Sequence, residues 1–350
     1  MANAVREGVF PGGVLLASSG SEIQFFKAYG WRDLTSRAPV ALDTVFDLAS
    51  LTKPLATTLA ILLLVQRKEL ELDQSLGDIL SPFREGVHSH VTIRQLLAHS
   101  SGLPDYQPYY RSLISLPRTD RKVSLRAALA EESPLHRSGS QTVYSDLGFM
   151  ILEWVAETVD GRRLDRMVYD EIYHPLGLDN LFFVDMDNPS GKSVNFAATE
   201  RCPWRGETVC GAVHDDNAYA VGGIAGHAGL FGPAAEVHEL LVDLLLSYLG
   251  LASAGLFDPE TVRKFFTRSQ PGDRALGFDM PAFEGSSAGR LFSRNTVGHL
   301  GFTGTSFWMD LDQRIIIILL TNRVHPTRSN LGIKTFRPLL HDTVMETLLG

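Results

Sequence analysis

Strand-forming sequence lies at both ends of this chain, and this placement constrains the fold more than any other feature. Near the N-terminus, segments 11–20 and 22–30 are apolar runs joined by a Gly-Ser turn, which predicts a β-hairpin. Near the C-terminus, segments 304–310 and 314–322 predict two paired strands. The second contains a run of isoleucines, a pattern typical of a strand buried on both faces. We therefore expect the two ends of the chain to build one α/β lobe.

Helical patterns predominate between these strands. A helix is predicted over residues 47–68, and it is apolar on nearly every face, so it should be buried centrally. Its apolar run, residues 55–65, is interrupted by threonines and is shorter than the ~20 residues that span a bilayer, so no membrane span is expected. Further helices are predicted at 92–99, 124–132, 146–159, 163–172, 234–249 and 332–349.

This order of elements predicts two lobes with an active site between them. Residues 1–75 and 290–350 form the α/β lobe, and residues 76–289 form a mainly helical lobe inserted between the two. The 350 residues are 44% hydrophobic, which is enough apolar material for such a core. The first strand begins so near the N-terminus that it leaves little room for a helix there, so we expect the native chain to be longer.

The bulk charge and the cysteines exclude some classes of function. A net charge of −8 gives no reason to expect a nucleic-acid or anionic-membrane partner. Cys202 and Cys210 could form a disulfide, but two free thiols are the better expectation. No basic segment followed by an apolar one opens the chain, so we expect a cytoplasmic protein, or a periplasmic or secreted one if a leader has been removed. The oligomeric state is left open.

Ser50 and Lys53 are the first residues with chemistry to offer. Their spacing places both side chains on one face at the start of the buried helix. A lysine amine can take the proton of a serine hydroxyl if burial lowers its pKa toward neutrality. The N-terminus of a helix also favours a developing oxyanion. Alone, the pair is more often an incidental lysine near a helix start, because this spacing occurs frequently by chance.

Two further motifs follow along the chain. Residues 144–146, Tyr-Ser-Asp, stand at a loop-to-helix junction, where Ser145 or Asp146 could simply cap the helix. Residues 299–301, His-Leu-Gly, precede a predicted strand. A histidine at a strand edge and a glycine in a turn would explain them without any catalytic role. The order of the three motifs is more specific than any one of them.

In that order, the motifs resemble those of the penicillin-recognising serine hydrolases. This superfamily includes class C β-lactamases, D-Ala-D-Ala carboxypeptidases and related esterases. Segments 92–103, 174–178 and 226–231 are also similar to this family. The resemblance implies a β-lactamase/transpeptidase-like fold of the α/β plus all-α class, with an antiparallel sheet flanked by terminal helices and an inserted helical lobe. It also implies an acyl-enzyme mechanism that needs no cofactor.

The resemblance assigns a role to each matching residue. Ser50 attacks the carbonyl carbon, and Lys53 with Tyr144 moves the proton to the leaving group and later activates water. The backbone N–H groups of Ser50 and Phe302 would hold the oxyanion. Gly301 suits its place because a side chain would crowd a backbone that must approach the substrate.

Three residues depart from the family pattern and bear on the substrate. Asp146 stands where the family often has Asn, and we expect it to pair with Lys53 and keep that lysine charged. Leu300 replaces a Thr or Ser hydroxyl, and His299 replaces a fixed lysine charge with a partly cationic imidazole. Such a site should bind an anionic carboxylate weakly.

Other candidate sites have simpler interpretations. Residues 214–217 with His227 could suggest a metal site, but a structural loop and no metal are expected. Residues 99–102 are interpreted as the end of a helix with a turn glycine. Four aromatic residues could either line a substrate pocket or pack internally, namely Tyr106, Tyr109, Tyr110 and Trp204.

The leading hypothesis is therefore a serine hydrolase of the β-lactamase type that acts as a carboxylesterase or amidase on a small molecule. The first alternative is a D-Ala-D-Ala carboxypeptidase or weak class C-type β-lactamase. The second is an inactive binding protein, against which the presence of Ser50, Lys53 and Tyr144 counts.

Overall fold

Both ends of the chain enter one antiparallel sheet. The computed structural model describes residues 1–188, 194–252, 255–272 and 274–350. Its strands are β1 (Gly12–Ser19), β2 (Glu22–Asp33), β3 (Ala38–Pro39), β4 (Phe46–Asp47), β5 (Phe182–Phe183), β6 (Arg201–Cys202), β7 (Glu207–Thr208), β8 (Leu230–Gly232), β9 (Thr296–Leu300), β10 (Ser306–Asp310) and β11 (Ile315–Thr321). Six of them form the order β3-β2-β1-β11-β10-β9, so the N-terminal hairpin and the C-terminal strands join through β1 and β11.

The helices lie between the two groups of strands and at both termini. They are α1 (Ala2–Arg6), α2 (Thr58–Gln66), α3 (Leu76–Ile79), α4 (Ile93–Leu97), α5 (Tyr110–Leu113), α6 (Arg118–Glu131), α7 (Asp146–Asp160), α8 (Leu164–Val168), α9 (Asp216–Ala220), α10 (Ala234–Leu249), α11 (Pro259–Phe266) and α12 (Ile333–Leu349). The predicted helix at 234–249 is reproduced at both ends, whereas the one predicted at 124–132 begins earlier, at Arg118.

Strand β11 is buried on both faces, as its isoleucines predict. Ile316 and Ile318 belong to the large core around α2. Ile315 and Ile317 belong to a second core, which also contains Ala4 of α1 and residues of α12. The predicted antiparallel sheet flanked by terminal helices is therefore confirmed. The N-terminus, where we expected little room for a helix, holds the five-residue α1.

The predicted helix at 47–68 is three joined pieces rather than one regular helix. A 3-10 turn at Ala49–Leu51 leads into a π-helical segment at Lys53–Thr57 and then into α2. The stretch Ala49–Gln66 has the length and mean hydropathy (1.4) of a membrane span, but 83% of it is buried inside the protein, as a core helix requires. Asp47, predicted to start the helix, lies instead in β4.

Buried threonines of this helical stretch form hydrogen bonds with the segment 226–230, which packs across it. Thr57 Oγ1 donates to the carbonyl of Gly226 at 2.7 Å, and Thr52 Oγ1 accepts from the N–H of Leu230 at 3.0 Å. Strand β8 then pairs with β4 on one side and β5 on the other. The residues around Ser50 are thereby fixed between the segment 226–230 and the six-stranded sheet. The predicted lobe boundaries at residues 75 and 290 stay a prediction.

Candidate active site

The turn that presents Ser50 is fixed by a buried carboxylate. Asp47 accepts the N–H of Ala49 at 2.8 Å with one oxygen and the N–H of His214 at 2.6 Å with the other. Ala49 itself has a φ of +49°, a left-handed conformation that is costly for a residue with a Cβ. The hydroxyl of Thr305 adds a bond to the carbonyl of Leu48 at 3.0 Å. The backbone is therefore held in a strained conformation directly before the nucleophile.

Lys53 is fully buried and its ammonium group is surrounded by acceptors. Its Nζ donates to Ser50 Oγ at 3.0 Å and to the carbonyl of His227 at 3.1 Å. The same atom lies 2.7 Å from Asp146 Oδ1. The expected ion pair between Asp146 and Lys53 is present. Three acceptors match the three donors of an ammonium group, so the surroundings suit a charged lysine.

The direction of the Lys53 pKa shift agrees with the three acceptors around its ammonium group. Burial by itself lowers the pKa of Lys53, but the charges of Asp146 and Tyr144 and their hydrogen bonding raise it, and the net direction is upward. The lysine is therefore not depressed toward neutrality, as a simple general base would require. Its charge instead organises the groups around the Ser50 hydroxyl.

Tyr144 lies beside the lysine among positively charged and imidazole groups. Its ring centroid is 4.9 Å from Lys53 Nζ and 5.2 Å from the guanidinium of Arg274. The ring of His99 packs against it at 4.6 Å, and that of His299 lies at 6.0 Å. The structure thus brings together Ser50, Lys53, Tyr144, Asp146 and His299, all of which the sequence motifs singled out.

His99 and Arg274 belong to this site, although no sequence motif assigned either of them to it. His99 Nδ1 accepts the N–H of Ser145 at 3.0 Å, which ties the loop before α7 to the end of α4. Burial, with the charges of Arg274 and Lys53, holds the pKa of His99 well below its usual range. No local spacing marks either residue, since each reaches Tyr144 only through the tertiary fold. Ser145, rather than Asp146, caps α7 by accepting from Gly148 N–H.

His299 lies within β9, the strand predicted after it is β10, and its side chain is buried. Its Nδ1 lies 2.9 Å from the carbonyl of Leu300, which can only accept, so Nδ1 carries the proton. Burial, then the charges of Lys53 and Arg274, hold its pKa well below the usual range. The imidazole is therefore neutral at pH 7, which corrects the expectation of a partly cationic histidine. Leu300 is half-buried beside it.

The loop after β9 offers a free backbone donor. The N–H of Phe302 has no acceptor among the described residues, as an oxyanion donor requires before substrate binds. A Cβ on Gly301 would collide with the Thr305 hydroxyl and lie 2.7 Å from the carbonyl of Leu48. Glycine is therefore required at 301, as predicted, although the crowding comes from the protein itself.

His214 and His227, the histidines of the possible metal site, each form a contact with a carboxylate. His227 Nε2 lies 2.9 Å from Asp215 Oδ1, and His214 Nε2 lies 3.2 Å from Glu200 Oε2. Asp215 also caps α9 by accepting from Ala218 N–H. Within the described ranges, no three His, Cys, Asp or Glu side chains converge as a ligand set. Both cysteines are free, as expected.

The four aromatic residues divide between packing and exposure. Tyr109 donates to Glu132 at 2.5 Å and packs against the large core. Tyr110 stacks on Trp204 at 5.4 Å, and Trp204 is 40% exposed. Tyr106 is 41% exposed and follows Asp105, whose carbonyl accepts the N–H of Asp146. Tyr106 and Trp204 are therefore exposed, whereas Tyr109 and Tyr110 are half-buried and both pack against the large core.

Comparison with known proteins decides the family. The family model described as beta-lactamase matches residues 1–340. The chain belongs to the beta-lactamase family. This beta-lactamase family member is a serine hydrolase, as its motifs predicted. A relative from Escherichia coli strain K12, named "Putative D-alanyl-D-alanine carboxypeptidase", is 31% identical over 349 residues that cover 90% of this chain and 79% of the relative.

Solved structures show the same fold for this family member. The structure titled "EstCE1, a hydrolase with promiscuous acyltransferase activity" is similar with a TM-score of 0.73 at 24% identity, and the match covers 96% of each chain. A penicillin-binding protein homologue from Caulobacter crescentus matches with a TM-score of 0.73 at 19% identity, over 97% of this chain and 96% of the other. These likenesses confirm the predicted β-lactamase/transpeptidase-like fold.

Proposed function

We propose that this beta-lactamase family member hydrolyses small esters or amides through an acyl-enzyme on Ser50. The observation that carries the proposal is the contact of 3.0 Å between Ser50 Oγ and a lysine ammonium that Asp146 also holds. A hydroxyl in contact with a buried cation is stabilised as it loses its proton. The free N–H of Phe302 supports the second requirement, a donor for the oxyanion.

The reaction proceeds in two steps that reuse the same groups. Ser50 Oγ bonds to the substrate carbonyl carbon while its proton passes to the Tyr144 oxygen. The phenolic proton of Tyr144 passes at the same time to the leaving oxygen or nitrogen, whose bond to carbon breaks. In the second step water attacks the acyl carbon and gives a proton to the Tyr144 oxygen, and the phenolic proton of Tyr144 passes to Ser50 Oγ as its bond to the acyl carbon breaks. Lys53 stays charged throughout, since Asp146 and Tyr144 raise its pKa.

The surroundings of the site support a substrate that carries no carboxylate. His299 is neutral and Leu300 is apolar, so the strand beside the oxyanion donor supplies neither a cation nor a hydroxyl for a carboxylate. A simple acyl ester needs neither group. This supports an esterase or amidase over an efficient β-lactamase.

One observation favours a second candidate, a D-Ala-D-Ala carboxypeptidase. Arg274 brings a permanent cation to within 5.2 Å of the Tyr144 ring, and a peptide of this class carries a carboxylate that an arginine binds well. Arg274 also pairs with Asp279. The name of the K12 relative points in the same direction.

Three substrates offered to the purified protein separate these functions: p-nitrophenyl butyrate, a chromogenic cephalosporin and a D-Ala-D-Ala peptide, each with Ser50→Ala as control. We expect ester turnover that Ser50→Ala abolishes. Peptide turnover above ester turnover would replace the esterase with the carboxypeptidase. Ester turnover that survives in Ser50→Ala would refute the nucleophile, and a lack of turnover of all three would favour an inactive binding protein.

A further inference from the structure

Arg337 is a buried cation that the proposed mechanism leaves without a role. It lies in α12 and is 6% exposed. Within the described part of the chain it forms no ion pair with a carboxylate, and its Nε has no hydrogen-bond partner. Burial lowers the pKa of Arg337 to about 10, so it is still charged at neutral pH. A buried charge without a counter-ion is costly, which calls for a function.

The contacts of Arg337 converge on the loop that carries the oxyanion donor. Its Nη2 donates to the carbonyl of Gly301 at 3.1 Å and to that of Thr305 at 2.7 Å. The N–H of Gly301 donates to the same Thr305 carbonyl at 2.7 Å. Arg337 therefore bonds both sides of the turn that follows β9.

The Gly301 carbonyl belongs to the same peptide group as the Phe302 N–H. In a trans peptide the C=O and N–H point in opposite directions, so the guanidinium lies on the side away from the free donor. A cation bonded to the oxygen draws electron density through the conjugated peptide and makes its N–H a stronger donor. The positive charge also attracts an oxyanion across the peptide.

A second buried arginine holds the other side of Phe302. Arg323 Nε donates to the carbonyl of Phe302 at 2.8 Å, and its guanidinium lies 4.5 Å from the Phe302 ring. The carbonyls before and after the Phe302 Cα are thus both bonded to cations. This fixes the direction of the N–H between them.

We propose that Arg337 is a positioning residue that aims and polarises the Gly301–Phe302 peptide, so that the Phe302 N–H stabilises the oxyanion of the acyl-transfer transition state. This inference rests on the proposed function. It predicts that the charge of Arg337 matters to the transition state much more than to substrate binding.

The test compares Arg337→Gln and Arg337→Lys with Arg121→Gln, an arginine bonded to three other backbone carbonyls away from the site. The readouts are kcat and KM for a p-nitrophenyl ester, the Kd of a boronic acid that forms a tetrahedral adduct on Ser50, and urea unfolding. Removing an oxyanion donor costs about 100- to 1,000-fold in kcat, so weakening one should cost about 10- to 100-fold in Arg337→Gln, with KM within about threefold. Lysine lacks the planar fork, and we expect a loss of about three- to tenfold.

The boronic acid distinguishes polarisation from a structural role. Its Kd should rise by the factor by which kcat/KM falls, and Arg121→Gln should change neither. Wild-type kcat and boronate affinity in either Arg337 variant would overturn the inference, as would a loss of kcat without a loss of boronate affinity. If Arg337→Gln does not fold, Arg337→Lys is judged by the same criteria. An inactive wild-type protein that also fails to bind the boronate would instead refute the proposed function.

Discussion

The ammonium of Lys53 lies 2.7 Å from Asp146 Oδ1, and this contact joins the helical stretch that begins at Ala49 to the first turn of α7. The lysine side chain is fully buried and that of Asp146 is 18% exposed. A lysine in that position without a counter-ion would lose its proton, because burial disfavours the charged form. The carboxylate at 146 therefore decides whether the neighbour of the nucleophile is a cation or a neutral amine.

Asp146→Asn should move the alkaline limb of the pH profile of kcat/KM. The substitution removes the charge that most raises the pKa of Lys53 and leaves the burial that lowers it, so the pKa falls. If the reaction needs the ammonium form, activity is lost at lower pH in the variant, by at least about one pH unit. The measurement is kcat/KM against pH for one ester. An unmoved alkaline limb would show that the charge of Lys53 is not required.

The same variant should be less stable at pH 7. The folded-state pKa of Lys53 is raised, so the pair contributes stability at every pH below the unfolded value and loses it only as pH rises through the folded one. Removing one partner of a buried pair costs about 3 kcal/mol in urea unfolding. Asp187→Asn, which breaks an exposed pair with Arg118, is the matched control and should cost less than about 1 kcal/mol. Equal losses in the two variants would contradict this account.

Acid should destabilise the protein through its buried histidines. Burial lowers the pKa of His341 to about 4, and that of His99 and His299 also lies below the usual range. Below pH 6.5 the unfolded chain binds protons at these histidines and the folded chain does not, so stability falls as pH falls. His227 opposes them: burial lowers its pKa, but the charge and hydrogen bond of Asp215 outweigh burial and the net direction is upward.

His341 gives this effect a magnitude. Between pH 7 and pH 5 it should account for about 2 kcal/mol of lost stability, given its folded pKa of about 4. In His341→Asn, the difference in unfolding free energy between those two pH values should shrink by about that amount. His136→Asn, at an exposed histidine, is the control and should leave the difference unchanged. A difference that persists in His341→Asn would show that other groups cause it.

The sequence predicted most of the fold and the centre of the site, for identifiable reasons. The continuous run of isoleucines predicted β11, helical periodicity predicted α10, and both elements lie where these patterns place them. Ser50, Lys53 and Tyr144 were found because their motifs are local in the chain. Periodicity could not show that residues 49–66 pass through 3-10, π and α geometry, since all three bury the same apolar residues.

The residues that sequence reasoning missed act across the fold. Asp47 accepts from His214, and His99 accepts from Ser145, in each case a backbone donor far along the chain. Arg274 and Arg337 likewise reach Tyr144 and Gly301 from other elements. No spacing rule connects such pairs, because only the tertiary structure sets their separation.

Gly301→Ala should remove most of the activity. The added methyl group would collide with the Thr305 hydroxyl and with the carbonyl of Leu48. The hydrogen bond between these two groups holds the turn before Ser50. We expect a loss in kcat of about 100-fold or more, as when one oxyanion donor is lost. Gly86→Ala is the control, since its new Cβ would meet nothing closer than 3.7 Å. Activity within a fewfold of wild type in Gly301→Ala would mean that the loop adjusts without moving the donor.

His99→Ala should weaken both the fold and the placement of Tyr144. It leaves the buried N–H of Ser145 without its acceptor and removes a ring that packs against Tyr144 at 4.6 Å. An unsatisfied buried donor and a lost aromatic contact together cost about 3 kcal/mol. His174→Ala is the matched control, because His174 stacks on Tyr169 at 5.6 Å but is exposed, and it should cost less than about 1 kcal/mol.

Whether His99 affects kcat by accepting from Ser145 is tested with a variant that retains an aromatic ring at position 99. His99→Phe can still pack against Tyr144 but cannot accept from Ser145, whose N–H fixes the loop that carries Tyr144 and Asp146. If the acceptor positions Tyr144, both His99 variants should lose about tenfold in kcat, with KM changed less, when measured well below their unfolding temperatures. Wild-type kcat in His99→Phe would assign the role to the ring contact, and wild-type kcat in both variants would remove His99 from the site.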